Sequence, residues 1–356
     1  MELFKCSSRY KDDIEEYTGQ ILTKTGISSP IAQREIMVMA DSGNTVACKL
    51  YADLIFYRKI FRKRPYAEAF SLYLRSAGLC IDEEGGFKVT GDSYPLSFWS
   101  LGYYLMNYRR GSLLSKCEEI PAIEGMSYAG RLSAALYLAA SCILSLSAPG
   151  ALNLTGRILD EAGSDDELFA ALKDDIRKAL NTEPFPGLSF EVFACDNRAD
   201  CLSLSEKFFK EAADTGYIYA CNNLAAKEAE RIVGLSSSNA PKEEISESLE
   251  RYISLLKLSA DKYEPYAANR LGLFYINGEI KSGDKKAVFR DHTDTALAKQ
   301  YFEKATVYPD SNSAWAYYNL IRYFHRDYDR NITLLNEHMD LIRLLNPAVY
   351  DLAIEL

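Results

Sequence analysis

The chain has 356 residues, of which 48% are hydrophobic, and it carries a formal net charge of −9. This hydrophobic fraction is ordinary for a folded soluble protein, and an acidic chain disfavours wholesale nucleic-acid binding. The segment MELFKCSSRYKDD has no apolar core of signal-peptide length, so we expect a cytoplasmic protein.

A spaced pattern of small residues appears early in the chain and then returns. Its three clearest copies are Ala40, Gly43, Ala47, Tyr51 and Ala52; Ala213, Gly216, Ala220, Leu224 and Ala225; and Ala260, Tyr263, Ala267, Leu271 and Gly272. Spacings of three and four residues lie on one helical face, where small residues let two helices approach closely. The pattern predicts repeated units in which helix A carries a large core residue and helix B follows after a turn.

Helix B carries a four-residue step of its own. The step occurs as Ala32, Ile36, Ala40; Ala69, Tyr73, Ala77; Ser205, Phe209, Ala213; Tyr252, Leu256, Ala260; and Leu297, Tyr301, Ala305. We expect a helix to begin at Pro30 and helices to stop at Gly78 and Gly278. No charge occurs between Arg131 and Arg157, and this apolar part is shorter than the ~20 residues a membrane span needs, so we expect a buried helix there.

These residues resemble Sel-one-like repeats, the tetratricopeptide-like class with an A-x2-G-x3-A-x3-L-G-x2-Y core. The best copies lie at 205–234, 252–278 and 32–78, whereas 150–204 fits no repeat well. The resemblance implies an all-α fold, an α-solenoid of stacked antiparallel helix pairs in a tetratricopeptide-like superhelix. We expect half-arrays at 1–180 and 205–356 with an irregular break at 181–204. Bacterial members of this class commonly act as adaptors in signalling, stress or host-interaction complexes.

The resemblance also implies a binding face, because helix A of such arrays lines a concave groove. Positions two before and two after the core residue point into it, and one further position lies a turn earlier. The implied groove residues are Lys49, Asp53, Trp99, Tyr103, Asn222, Asn269, Tyr318 and Arg322, with Tyr219, Tyr266 and Trp315 one turn earlier. Amides, guanidinium groups and aromatic rings suit peptide recognition, although the same side chains also serve packing between layers.

A basic cluster lies in the link between the helices of the first repeat, at Arg58, Lys59, Arg62, Lys63 and Arg64. Such a cluster suits an acidic or phosphate-rich partner, and it also suits the negative end of a helix dipole. We expect the chain to be a non-catalytic scaffold that binds a partner protein or peptide. A peptide-sensing regulator is the first alternative.

The second alternative is an enzyme with its site in 150–204 or 279–295. Its candidate residues are Asp196, Asp200, Asp291 and His292. No metal spacing, phosphate-binding loop or nucleophile motif supports that reading. We therefore expect no cofactor, no metal, no nucleic-acid partner and no membrane association.

Overall fold

The structure is a computed structural model that describes residues 30–56, 60, 62–82, 86–108, 120–146, 148–181, 185, 188–192, 195–310 and 312–356. The chain divides into two compact units, Met1–Glu211 (unit 1) and Ala212–Leu356 (unit 2). In the described residues, each unit consists of α-helices with one two-stranded antiparallel hairpin. Arg58 and Lys59 of the basic cluster lie outside the described residues.

Unit 1 is a series of helices that pack on their neighbours in the chain. Its elements are α1 (Pro30–Asp41), α2 (Thr45–Phe56), α3 (Pro65–Ser76), β1 (Leu79–Ile81), β2 (Phe87–Val89), α4 (Pro95–Asn107), α5 (Pro121–Glu124), α6 (Tyr128–Leu146), α7 (Pro149–Ser164), α8 (Asp166–Asn181) and most of α9 (Arg198–Asp214). Helix α2 packs on α1 and α3, and α6 packs on α4, α7 and α8. Short links between packed helices give antiparallel pairs.

Unit 2 repeats the same construction. Its elements after α9 are α10 (Ile218–Ser237), α11 (Lys242–Ala260), α12 (Pro265–Asn277), β3 (Glu279–Ser282), β4 (Lys285–Val288), a 3-10 turn (Arg290–His292), α13 (Thr295–Lys304), α14 (Ser313–Tyr323), α15 (His325–Asp329), α16 (Ile332–Leu345) and α17 (Pro347–Ala353). Helix α11 packs on α10 and α12, α13 packs on α12 and α14, and α16 packs on α14. The predicted all-α fold of stacked helix pairs is confirmed.

Helix A and helix B approach closely at a glycine in several pairs. A Cβ placed on Gly272 of α12 would lie 2.5 Å from Cε1 of Phe302 in α13. A Cβ on Gly156 of α7 would lie 2.7 Å from Cε1 of Phe209 in α9. Real Cβ atoms do not come this close to another atom, so the glycine sets the distance between the two helices.

Helix α7 carries a repeat-like spacing within 150–204, the stretch that fits no repeat well in the sequence. Its Pro149, Ala151, Asn153 and Gly156 have the spacing of Pro265, Ala267, Asn269 and Gly272 in α12. Its partner is α9, which carries the helix B residues Ser205 and Phe209. This spacing was hard to recognise because α8 and the residues between it and Arg198 separate helix A from helix B.

The turn that joins helix B to the next helix A has a left-handed backbone. Gly43 has φ +92°, Gly216 has φ +84°, and Tyr263 has φ +60° at the position where the repeat pattern calls for glycine. A tyrosine in this region is strained, because its Cβ crowds the backbone. The predicted helix stops are also confirmed: Gly78 and Gly278 have φ of +60° and +61° just after α3 and α12.

The core residue of helix A is buried in most pairs. Leu101 and Leu271 are fully buried, and Tyr51 and Leu320 are nearly so. Leu224 is only half-buried, so the prediction is wrong for this residue. The buried residues of helix α10 include Ala220, Ala225 and Ala229 instead.

Helix α6 corresponds to the uncharged part of the sequence. Among the described residues it alone is long and apolar enough, by length and composition, to cross a membrane, so the expected shortfall in length is wrong. Of its most apolar 18-residue window, 61% is buried. The carbonyl oxygen of Ala135 in α6 would lie 3.0 Å from a Cβ on Gly102 of α4, so the two helices pack closely. The expected buried helix is confirmed.

Candidate functional site

The groove positions of unit 1 come together in one cluster on helices α2, α4 and α7. The Lys49 ammonium lies 5.9 Å from the ring centroid of Trp99, and Trp99 makes an edge-to-face contact with Tyr103 at 6.3 Å. The Arg157 guanidinium lies 5.9 Å from the Tyr103 ring. Two cations therefore flank an aromatic pair, and we call Lys49, Asp53, Trp99, Tyr103 and Arg157 the unit 1 cluster.

The carboxylate of Asp53 holds the Lys49 end of this cluster in place. It forms an ion pair with Lys49 at 2.5 Å and accepts a hydrogen bond from the Tyr73 hydroxyl at 2.8 Å. Burial, together with the negative charge of Asp53, raises the pKa of Tyr94 to about 12, so this phenol stays neutral. Lys49 and Asp53 are partly buried, which strengthens their pairing relative to an exposed ion pair.

Arg157 was missed by the sequence analysis, although a signal for it exists. It lies two residues after the core position of α7, as Tyr103 does in α4 and Arg322 does in α14. Its guanidinium also donates to Oδ1 of Asn107 at 3.4 Å. The spacing from Pro149 to Gly156 would have identified α7 as a helix A and Arg157 as a groove residue.

The amides of Asn222 and Asn269 were expected to line an open groove, but the structure buries them. Asn222 Nδ2 donates to Oε2 of Glu264 at 2.9 Å, and Asn269 Oδ1 accepts from Nδ2 of Asn319 at 2.9 Å. Each of the two amides is only 9% exposed. The two hydrogen bonds join consecutive A helices, so the expected open position is wrong for both amides.

Glu264 is a buried carboxyl group of unit 2. Its carboxylate caps the N-terminus of α12, accepting from the backbone nitrogens of Tyr266 at 3.2 Å and Ala267 at 2.7 Å. Burial raises the pKa of Glu264 above its usual value, and the hydrogen bonds from Ala267, Asn222 and Tyr266 oppose that rise. The side chain has a structural role, because its acceptors are used by the helix end and by Asn222.

The three aromatic residues that lie one helical turn before the groove positions of the A helices are exposed. Tyr219 of α10, Tyr266 of α12 and Trp315 of α14 are 53%, 38% and 40% exposed. They occupy the same repeat position on successive A helices, and we call them the unit 2 aromatic row. Helix α12 packs on α14, and the bond between Asn222 and Glu264 joins α10 to the start of α12.

Tyr318 and Arg322 lie beside one end of this row. The Tyr318 ring makes an edge-to-face contact with Trp315, with the centroids 5.9 Å apart. The exposed Arg322 guanidinium lies 6.0 Å from the Tyr318 ring and 5.3 Å from the Tyr323 ring. Within the described part of the chain Arg322 forms no ion pair, so a cation stands beside the row with its charge uncompensated.

The basic cluster is partly used by the fold. Arg62 donates to the Tyr51 hydroxyl, stacks on its ring at 5.5 Å, and forms an ion pair with Glu68 at 3.3 Å. Lys63 and Arg64 are exposed. Arg62 therefore fixes the link between α2 and α3, and its role towards a partner remains a prediction.

The residues considered for an enzyme are paired with neighbouring side chains or exposed. Asp196 forms an ion pair with Arg177 at 2.5 Å, and Asp200 accepts hydrogen bonds from Asp196 and Asn197 at the start of α9. His292 is exposed on the 3-10 turn beside Asp291. Among the described residues, no group of His, Cys, Asp and Glu could hold a metal ion.

Comparisons with known proteins identify no family for this chain. No protein-family model matches the chain, and no curated protein is similar to it in sequence. Among solved structures, a match is a protective antigen present in uropathogenic Escherichia coli strains, whose crystal structure displays an SLR fold. It is 15% identical, the alignment covers 82% of this chain and 58% of the antigen, and the TM-score is 0.26. This chain thus spans less than two thirds of the antigen, and so low a TM-score supports no further argument.

Proposed function

We propose that the protein is a non-catalytic scaffold of the Sel-one-like repeat class that binds a partner protein or peptide on its A helices. The observation that carries this proposal is the exposed aromatic row, Tyr219, Tyr266 and Trp315, at one repeat position of three consecutive A helices. None of the three belongs to the buried core cluster described for unit 2. Tyr and Trp are the residues that most often dominate binding energy at protein interfaces.

The unit 1 cluster supports the same function with different chemistry. Lys49 and Arg157 place positive charge on either side of the half-buried Trp99 and Tyr103 rings. Rings held by neighbouring side chains lose little entropy when they bind a partner. A partner that contacts this cluster would supply carboxylates for the cations and apolar groups for the rings.

The repeat class is supported by features of the chain itself. The spacing Pro-x-Ala-x-Asn-x2-Gly is shared by α7 and α12, and a glycine in each permits close contact with helix B. We propose that it acts as an adaptor in the cytoplasm, because stacked repeats present extended surfaces to partners.

The test is capture of the native partner by variants that keep the fold. Full-length protein would be purified from its native cell with bound partners, which are then identified by mass spectrometry. One variant combines Tyr266→Ala with Trp315→Ala on the A helices of unit 2, and a second combines Lys49→Gln with Arg157→Gln in unit 1. The matched control is Leu258→Ala, which removes an exposed apolar side chain of helix B.

We expect a partner that wild type and Leu258→Ala capture and that at least one A-helix variant loses while its circular dichroism stays unchanged. Loss of the partner only with Leu258→Ala would place the interface on helix B and refute the proposal. A partner retained by both A-helix variants would refute it as well.

A further inference from the structure

Two buried cysteines meet at the start of α9. Cys201 lies in the first turn of this helix, and Cys195 lies in the residues just before it. Both side chains are fully buried, and neither thiol is in a disulfide bond. The two thiols form a hydrogen bond with each other, so their sulfur atoms are in contact. The chain therefore holds a pair of thiols that only a short turn separates.

The turn between the two cysteines is held by a reciprocal helix cap. Oδ1 of Asn197 accepts from the backbone nitrogen of Asp200 at 3.0 Å. Oδ2 of Asp200 accepts from Nδ2 of Asn197 at 2.9 Å and from the backbone nitrogen of Asp196 at 3.2 Å. A cap of this kind folds the residues before the helix back onto the end of its first turn. Cys195 and Cys201 stand at these two places, so the cap accounts for the contact of their thiols.

This arrangement has the features that a disulfide bond requires. A disulfide forms only between cysteines whose Cβ atoms come within about 3.5–4.5 Å and whose sulfurs point towards each other. Thiols that share a hydrogen bond already point towards each other. Other buried cysteines have different partners: Cys48 donates to the carbonyl oxygen of Ala40 at 3.5 Å, and Cys221 forms a hydrogen bond with Ser259.

The closed turn keeps the pair in the thiol form. The hydrogen bond with Cys201 and burial raise the pKa of Cys195, and the thiolate is the form that reacts with disulfides. Reaction therefore requires the turn to open. Its outer contact is the ion pair of Asp196 with Arg177, which lies at the surface. Because exposed ion pairs contribute little stability, a short turn held in this way opens locally without unfolding the core.

We propose that Cys195 and Cys201 are a redox-active dithiol, which a small-molecule disulfide such as oxidised glutathione converts into an intramolecular disulfide bond. The thiolate of one cysteine attacks the sulfur–sulfur bond of the reagent, forms a mixed disulfide and releases one small thiolate. The thiolate of the second cysteine attacks the protein sulfur of this mixed disulfide and releases the other. The two small thiolates take up the two protons that the cysteines lose, and two electrons pass from the protein to the reagent.

The bond would fasten the residues before α9 to its first turn. At that end of α9, Arg198 donates to the carbonyl oxygen of Gly163 at 2.8 Å and forms an ion pair with Asp166 at 2.6 Å. The disulfide therefore stabilises the point where α9 joins the end of α7 and the start of α8. This inference does not depend on the scaffold function.

The test uses tryptic digestion of the full-length protein, because Arg198 lies between the two cysteines. Trypsin cleaves after Arg198, which leaves Cys195 in the peptide 179–198 and Cys201 in the peptide 199–207. The protein is equilibrated in glutathione buffers from fully reduced to fully oxidised, its remaining thiols are alkylated, and the digest is analysed by mass spectrometry without reduction. We expect the two peptides to be joined in oxidising buffer, and to be separate and alkylated in reducing buffer.

Variants and a denaturant show whether the fold makes the bond. Cys195→Ser and Cys201→Ser should each abolish the joined peptides, whereas the matched control Cys221→Ser should retain them, because Cys221 is a buried cysteine outside the pair. A disulfide that stabilises the fold is favoured by the fold to the same extent. We therefore expect the equilibrium constant for the bond to fall by about tenfold or more when the titration is repeated in concentrated urea.

Two outcomes would overturn the inference. One is recovery of both cysteines alkylated, or each joined to glutathione, in the most oxidising buffer. The other is an equilibrium constant that is the same in urea and in native buffer, because the folded turn would then contribute nothing to the bond. Loss of the joined peptides in Cys221→Ser as well would contradict the pairing of Cys195 with Cys201.

Discussion

Replacement of Gly272 by alanine tests how closely helix A and helix B pack. The added methyl group would lie 2.5 Å from Cε1 and 2.6 Å from Cδ1 of Phe302. Phe302 is fully buried, so its ring has no open space to move into. Overpacking of this kind costs about 1–3 kcal/mol, whereas Gly→Ala within a helix gains about 0.5–1 kcal/mol. We expect the variant to be destabilised by up to about 2.5 kcal/mol.

Gly234→Ala is the matched control, because Gly234 lies within α10 and a Cβ there meets nothing within 4 Å. This variant should be stabilised by about 0.5–1 kcal/mol. Both free energies of unfolding are measured by urea titration followed by circular dichroism. A double variant, Gly272→Ala with Phe302→Leu, should cost less than the sum of the two single changes, because the smaller side chain relieves the clash.

The close packing of α12 on α13 is refuted if Gly272→Ala stabilises the protein as Gly234→Ala does. Additive effects in the double variant would also contradict it, because they would mean that the alanine methyl and the Phe302 ring do not touch.

Three further predictions use the same urea assay. Tyr263→Gly should raise the free energy of unfolding by up to about 1 kcal/mol, because glycine adopts the left-handed backbone at φ +60° without strain. The control Tyr263→Phe should leave it nearly unchanged. A lower free energy of unfolding in both variants would contradict the strain. Because burial raises the pKa of Glu264, the folded state holds that proton more tightly, so its contribution to stability is largest below pH 4.5 and declines as pH rises through the folded-state pKa. Wild type should therefore lose stability relative to Glu264→Gln on going from pH 4 to pH 7, and a constant difference would refute this. Asn319→Ala should lower the free energy of unfolding by about 1–3 kcal/mol, because it leaves the buried Asn269 unpaired. The double variant Asn269→Leu with Asn319→Leu should lose less than twice that amount. An unchanged free energy of unfolding in Asn319→Ala would exclude the hydrogen bond.

Much of the local structure could be predicted because it depends on residues close in the chain. The small residues at spacings of three and four, with Leu271 and Gly272 adjacent, predict a helix with one close-packed face. Gly278 predicts the end of α12, because few other residues adopt a left-handed backbone without strain. The A–B pairing within 252–278 and 32–78 follows from the same spacings.

The repeat in α7 could not be recognised in this way because α8 separates its two helices. The spacing from Pro149 to Gly156 carries the signal, but its helix B begins only at Arg198. The contact between Gly156 and Phe209 joins residues 53 positions apart and exists only in the folded chain. Arg157 was missed for this reason.

The sequence by itself determined which faces of the helices are small, apolar or polar, because helical periodicity places residues three and four apart on one side. Only the tertiary structure decided which polar groups on the A helices are left for a partner. Asn222 and Asn269 occupy the same kind of position as the half-buried Tyr318, yet they are buried, with Asn222 donating to Glu264 and Asn269 accepting from Asn319 of a neighbouring helix. Whether an amide faces solvent or joins two layers depends on a partner about 40 to 50 residues away, and no local pattern encodes that choice.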